Sequence, residues 1–115
     1  MPTRIVDTSN AEHYTWGIDC DGWHLVKGEE LSVIEERMPP GRSEERHSHT
    51  KSRQFFFVLE GELTLEVEHH DFVVTTGKGV EVHPGQAHTA INRSQADVRM
   101  LVISQPPSHG DRTPA

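Results

Sequence analysis

Between residues 23 and 104 the chain never sustains a helical period; it runs in short segments rich in β-branched and aromatic residues, each stopped by turn formers. "MPPG" at 38–41, "EG" at 60–61, "TGKG" at 76–79 and "HPG" at 83–85 supply the fixed φ of proline and the permissive φ of glycine at these stops. The pattern predicts nine strands, at 23–27, 31–38, 46–49, 54–60, 63–68, 71–75, 79–82, 87–92 and 98–104. Nine short strands without a helix leave a β-sandwich, a jelly roll or a small barrel. Upstream, "SNAEHY" places a serine three residues before a glutamate, the pattern of a helix capping box, and predicts one helical turn. The segment 105–115, with "PPSHGDRTPA", is proline-rich and polar, so it is expected either to lie extended over the barrel or to be disordered.

A length of 115 residues predicts one domain, 1–115, with its core in about 23–104. Only 33 % of the residues are hydrophobic, which makes burial in a lone copy marginal and predicts a homodimer. Eleven basic against eighteen acidic residues give a net charge of −7, which disfavours nucleic acid and anionic membrane surfaces as partners. With no long apolar run and a single cysteine, Cys20, the expected location is the cytoplasm, and Cys20 reads as a packed small side chain.

Chemistry concentrates in "RHSHTKSRQ" at 46–54. Alternate side chains of a strand share a face, so His47 and His49 point the same way with Ser48 opposite. A neighbouring strand starting at Gln54 and a later one carrying His88 can bring two more side chains to the same point. His-x-His alone, in a chain with nine histidines, is more often a solvated pair. The remaining histidines lack such support. His69 and His70 are adjacent and diverge, so they decorate a hairpin, while His13, His24 and His109 have no partner at a ligand spacing.

The complete spacing resembles that of the cupin superfamily. Gly41, five residues, His47-Ser48-His49, four residues, Gln54, six residues and Gly61 match its first motif, with glutamine in place of the usual glutamate. "GVEVHPGQAHTAIN" supplies Gly79, Pro84, Gly85, His88 and Asn92 of the second, one residue short between Gly79 and Pro84. The resemblance implies a double-stranded β-helix of jelly-roll type and a divalent metal ion, zinc, manganese, iron, nickel or copper, held by His47, His49, Gln54 and His88. An amide in place of a carboxylate leaves the ion a net charge of +2 rather than +1, and hence a stronger Lewis acid for anionic ligands. Strand parity turns Phe56 and Val58 inward with Gln54, and Asn92 inward with His88; these, with Glu45, are the expected substrate-binding residues. Phe55 and Phe57 then face outward, toward a second copy or under an N-terminal segment containing Trp16 and Trp23.

Two functional classes stay open. One is a metal-dependent enzyme of isomerase or dioxygenase type acting on an oxygenated small molecule; a set of three histidines and one glutamine is similar to that of small isomerase cupins of pectin degradation. Those also carry an aspartate and a phenylalanine near the last strand, where this chain reads "VRMLVISQPP". The other is a non-catalytic cupin that binds or senses a small ligand. Glu45, His83 and Glu35 are the proton carriers that the enzymatic reading has to draw on.

Overall fold

The computed structural model describes residues 2–115. Its strands are β1 (Glu12–Trp16), β2 (Cys20–Lys27), β3 (Ser32–Met38), β4 (His47–Ser48), β5 (Arg53–Glu60), β6 (Glu62–Val67), β7 (His70–Thr75), β8 (Gly79–Val82), β9 (His88–Ile91), β10 (Val98–Gln105) and β11 (Thr113–Pro114). All nine expected strands are present, with ends moved by at most three residues. They form two antiparallel sheets, ordered β1-β2-β3-β10-β5-β8 and β11-β4-β9-β6-β7. From β4 onward the chain crosses between the sheets at every connection except the β6–β7 hairpin, as in a jelly roll. No helix forms among the described residues, and none is long and apolar enough to cross a membrane.

Strand parity builds the interior. Phe56 and Val58 of β5, Val98, Met100 and Val102 of β10, and Met38 of β3 are buried from one sheet. Leu63, Leu65 and Val67 of β6 and Ala90 of β9 meet them from the other. Two glycines of the motifs are required by close contact. At Gly61, φ is +95° and a Cβ would lie 2.7 Å from the Asp97 carbonyl oxygen, so the turn from β5 to β6 excludes any side chain. At Gly79, a Cβ would meet the Phe55 ring at 2.4 Å, because that ring lies across the β8 backbone.

Two termini depart from expectation. The capping pattern at Ser9 does not start a helix. Asp7 closes a single turn instead: its carbonyl accepts from the Asn10 and Ala11 N–H groups and its carboxylate from Ser9 N–H, after which β1 begins at Glu12. Pairing of β1 with β2 along five residues outweighs the local preference. The 105–115 segment takes the extended alternative. β11 pairs with β4, and the Asp111 carboxylate accepts from the N–H groups of Thr50, Lys51 and Ser52 at 2.8–2.9 Å.

On the outer face of the larger sheet Phe55 and Phe57 stack with centroids 6.3 Å apart, and Phe55 is 38 % exposed. Trp16 packs against the core, and Trp23 lies under the Arg99 guanidinium at 5.2 Å. Glu35, Arg37 and Arg46 form ion pairs with Arg99, Asp21 and Glu66. Cys20 is fully buried, and burial raises its thiol pKa, as befits a packing residue.

Candidate metal centre

His47 and His88 are direct register partners on the neighbouring strands β4 and β9, and His49 follows β4 by one residue. The three rings have centroids 4.4, 4.8 and 5.3 Å apart, and one nitrogen from each lies within 4.8 Å of the others. All three are buried. The motif turn fastens this arrangement: Gly85 N–H donates to the His49 carbonyl at 2.7 Å, and residues 83–86 close on themselves through Gln86. The one-residue shortening before Pro84 is absorbed there and leaves His88 in place.

Each ring is held by its Nδ1. His47 Nδ1–H donates to the Glu45 carbonyl at 2.6 Å, His49 to the Asp111 carbonyl at 2.5 Å and His88 to the Gln86 carbonyl at 2.9 Å. A carbonyl only accepts, so all three imidazoles carry their proton on Nδ1 and turn a bare Nε2 lone pair inward. Burial lowers the pKa of His47 to about 4, with further lowering from His88, Arg112 and His49. Burial likewise lowers that of His88. His47 and His88 are therefore neutral at pH 7.

Gln54, on β5 of the opposite sheet, reaches the same point. Its amide N–H₂ donates to Ser104 Oγ at 3.0 Å, which aims Oε1 at His88 Nε2, 3.1 Å away. Two acceptors thus face each other, and buried His49 Nε2 has no partner at all. Lone pairs converging without a proton between them are costly unless a cation lies among them. The donor set fits a divalent metal ion, and the three histidines are positioned to bind one.

The other expected site residues are distributed unevenly. Phe56 packs edge-on against His88 at 6.0 Å, while Val58 is fully buried in the core. Asn92 is buried, with its amide spent on the backbone: it donates to the carbonyls of Met38 and Ala96 and accepts from Ser94. Glu45 does not turn inward as strand parity predicts. Residues 44–46 precede the two-residue β4 and follow no alternation, so the Glu45 side chain is exposed and only its carbonyl serves the site. Glu35 is paired to Arg99 and His83 is exposed, so neither approaches the cluster as a proton carrier.

Two acids overlooked in the sequence have the environment of proton carriers. Glu36 shares the inward face of β3 with Ile34 and Met38, and burial, reinforced by Glu44, pushes its pKa up to about 8. Burial pushes Glu44 up to about 7, against the lowering effect of the Ala90 N–H bond to its carboxylate. Alternation around Met38 was the available signal for Glu36. Gly22 makes room for the Tyr14 ring, which occupies the space where a Cβ would stand, and burial, with Glu36 adding to it, raises the Tyr14 pKa. Because folded Glu36 keeps its proton to higher pH than the unfolded chain, its stabilising contribution is complete below pH 4.5 and shrinks as pH rises toward 8. Metal-free Glu36→Gln should therefore match the native protein at low pH and exceed it by on the order of 4 kcal/mol at pH 8, as denaturant titrations at the two pH values will show.

A cavity of about 650 Å³ is lined by Tyr14, His24, Lys27, Ser32 and Ile34 on one side and by residues 107–110 and Arg112 on the other. Ser32, Ser104 and Gln54 are successive register partners on β3, β10 and β5, so a row of polar side chains leads from the cavity wall to the histidines.

Comparison with known proteins agrees with this architecture. A curated relative, an uncharacterized protein of Methanocaldococcus jannaschii, is 28 % identical over 89 residues, covering 76 % of this chain and 71 % of that protein. KdgF from Halomonas sp. superposes with a TM-score of 0.83 at 13 % identity, covering 92 % of this chain and 96 % of that one. A sugar phosphate isomerase from a cupin superfamily, from Silicibacter pomeroyi, superposes with a TM-score of 0.79 at 20 % identity, covering 90 % and 76 %. Likeness at these identities speaks for the fold. The family model for the cupin domain matches residues 34–104, more than half of the chain and the stretch that carries every convergent ligand. The chain accordingly belongs to the cupin family, as a single small cupin domain with a double-stranded β-helix fold.

Proposed function

We propose that this cupin binds one divalent metal ion through His47, His49, His88 and Gln54 and uses it as an enzyme on a small oxygenated molecule, in isomerase- or dioxygenase-type chemistry. The observation that carries the reading is the set of three inward Nε2 lone pairs, each fixed by a backbone carbonyl behind it, with His49 Nε2 otherwise unpartnered. When bound, the ion supplies Lewis acidity toward a carbonyl or hydroxyl oxygen. The chain's own groups supply the rest. Glu36 and Glu44, with pKa values raised to about 8 and about 7, are suited to exchanging a proton near neutral pH. Phe56 shields one side of His88 from water. Gln54, tied to Ser104, keeps the site less negative than a carboxylate would. The sugar phosphate isomerase from Silicibacter pomeroyi superposes on this chain and supports the isomerase alternative as an analogy of fold.

The test combines metal analysis with two assays on the loaded protein. Purified protein should carry about one ion per chain, as expected for a single convergent site. With hydroxy-carbonyl compounds in D₂O, nuclear magnetic resonance should reveal exchange of the proton next to the carbonyl if isomerisation is the chemistry; oxygen uptake would mark a dioxygenase. Saturable binding without exchange or oxygen uptake would instead establish the ligand-binding reading, and a chain that takes up no metal would overturn the enzymatic one.

A further inference from the structure

We propose that the cavity between β1–β3 and the C-terminal segment seats a small anionic ligand, a carboxylate- or phosphate-bearing molecule whose charged end is held by Arg112. The wall composition is the first support. A chain with eighteen acidic and eleven basic residues puts no aspartate or glutamate in this lining; of its two cations Lys27 is paired to Glu12 at 3.0 Å, which leaves Arg112. The rest of the polar lining, Tyr14, His24, Ser32, Ser108 and His109, is rich in groups that hydrogen-bond to hydroxyls and anionic oxygens.

The second support is Arg112 itself. Arg37, Arg42, Arg46, Arg53, Arg93 and Arg99 each have a carboxylate within 4.0 Å. Arg112 has none among the described residues; its single hydrogen bond is from Nη2 to the Glu45 carbonyl, long at 3.3 Å. A guanidinium carries five donors in a planar fork suited to carboxylate or phosphate, and here most are unspent. The Glu45 carbonyl also holds His47 Nδ1, so Arg112 lies beside the cluster as well as in the cavity wall. The acids near it do not cancel it fully at neutral pH, because burial keeps Glu36 protonated. A volume of about 650 Å³ suits a molecule of monosaccharide size.

This ligand class deepens the metal-enzyme reading and leans on it only for what the ligand's remaining oxygens meet. The test is calorimetric titration of the full chain, nickel-loaded and metal-free, with three probes: D-glucuronate, glucose 6-phosphate and neutral D-glucose. At least one anionic probe should bind the loaded protein about tenfold or more tightly than glucose, the advantage expected of a charge-assisted pair. Arg112→Gln should abolish that preference at unchanged nickel content, and Arg112→Lys should keep part of it. Preference for glucuronate identifies a carboxylate ligand, and preference for glucose 6-phosphate a phosphate ligand. Equal binding of all three, no binding of any, or a preference that survives Arg112→Gln would overturn the proposal. A chain that takes up no nickel but still shows the Arg112-dependent preference would sink the metal reading and leave this one standing.

Discussion

His88→Ala is expected to strip the protein of its metal. His88 is fully buried, stands opposite His47 in the β4–β9 pair and lies closest to Gln54, so its removal deletes one nitrogen donor and the neighbour against which the fourth ligand is aimed. Loss of a hydrogen bond behind a metal ligand costs roughly 10- to 100-fold in affinity, and loss of the ligand itself should cost more. Plasma emission analysis should find about one ion per chain in the native protein and a small fraction of that in the variant. Thermal unfolding gives an independent readout: added metal at about a hundred times its dissociation constant stabilises the native fold by about 2.7 kcal/mol, and the variant should show almost none of this. His69→Ala, on the exposed β6–β7 turn, should leave both measurements unchanged. A variant lacking His88 that loads and melts like the native protein would end the assignment.

Asp111→Ala should have the next largest effect, although residue 111 is 62 positions from His49 in sequence. Its carboxylate gathers the N–H groups of Thr50, Lys51 and Ser52, and these bonds hold its pKa below the ordinary aspartate range. Its carbonyl meanwhile fixes the tautomer of His49. Truncating the side chain releases the clamp and, with it, the carbonyl. Metal affinity should fall by roughly 10- to 100-fold, and protease should cut the 106–115 segment faster. Both can be followed by chelator competition and mass spectrometry. Unchanged affinity beside a loosened segment would show that His49 keeps its orientation without Asp111.

Much of this architecture was legible in the sequence because it is written in local terms. The turn formers at 38–41, 60–61, 76–79 and 83–85 each stop a strand where they stand, and His-x-His with its distant Gln54 and His88 keeps the spacing of the cupin motifs. The parts that escaped depend on pairings without a local signal. β1 and β11 exist because β2 and β4 offer them edges, which overrode a capping pattern in one case and a proline-rich composition in the other. Glu45 was misplaced by extending alternation past a strand only two residues long, whereas Glu36 could have been found by applying alternation from Met38. Asp111 and Arg112 carry no motif; only the return of the C-terminal segment over the barrel gives them a role.

His47, His49 and His88 hang from the five-stranded leaf, and Gln54 from the six-stranded one. Any ion they share would rivet the two leaves together near the rim. Filling the centre should then slow amide exchange in β5 and β10 as much as in β4 and β9, so that the occupancy of a point in the interior is reported by the stiffness of the whole shell.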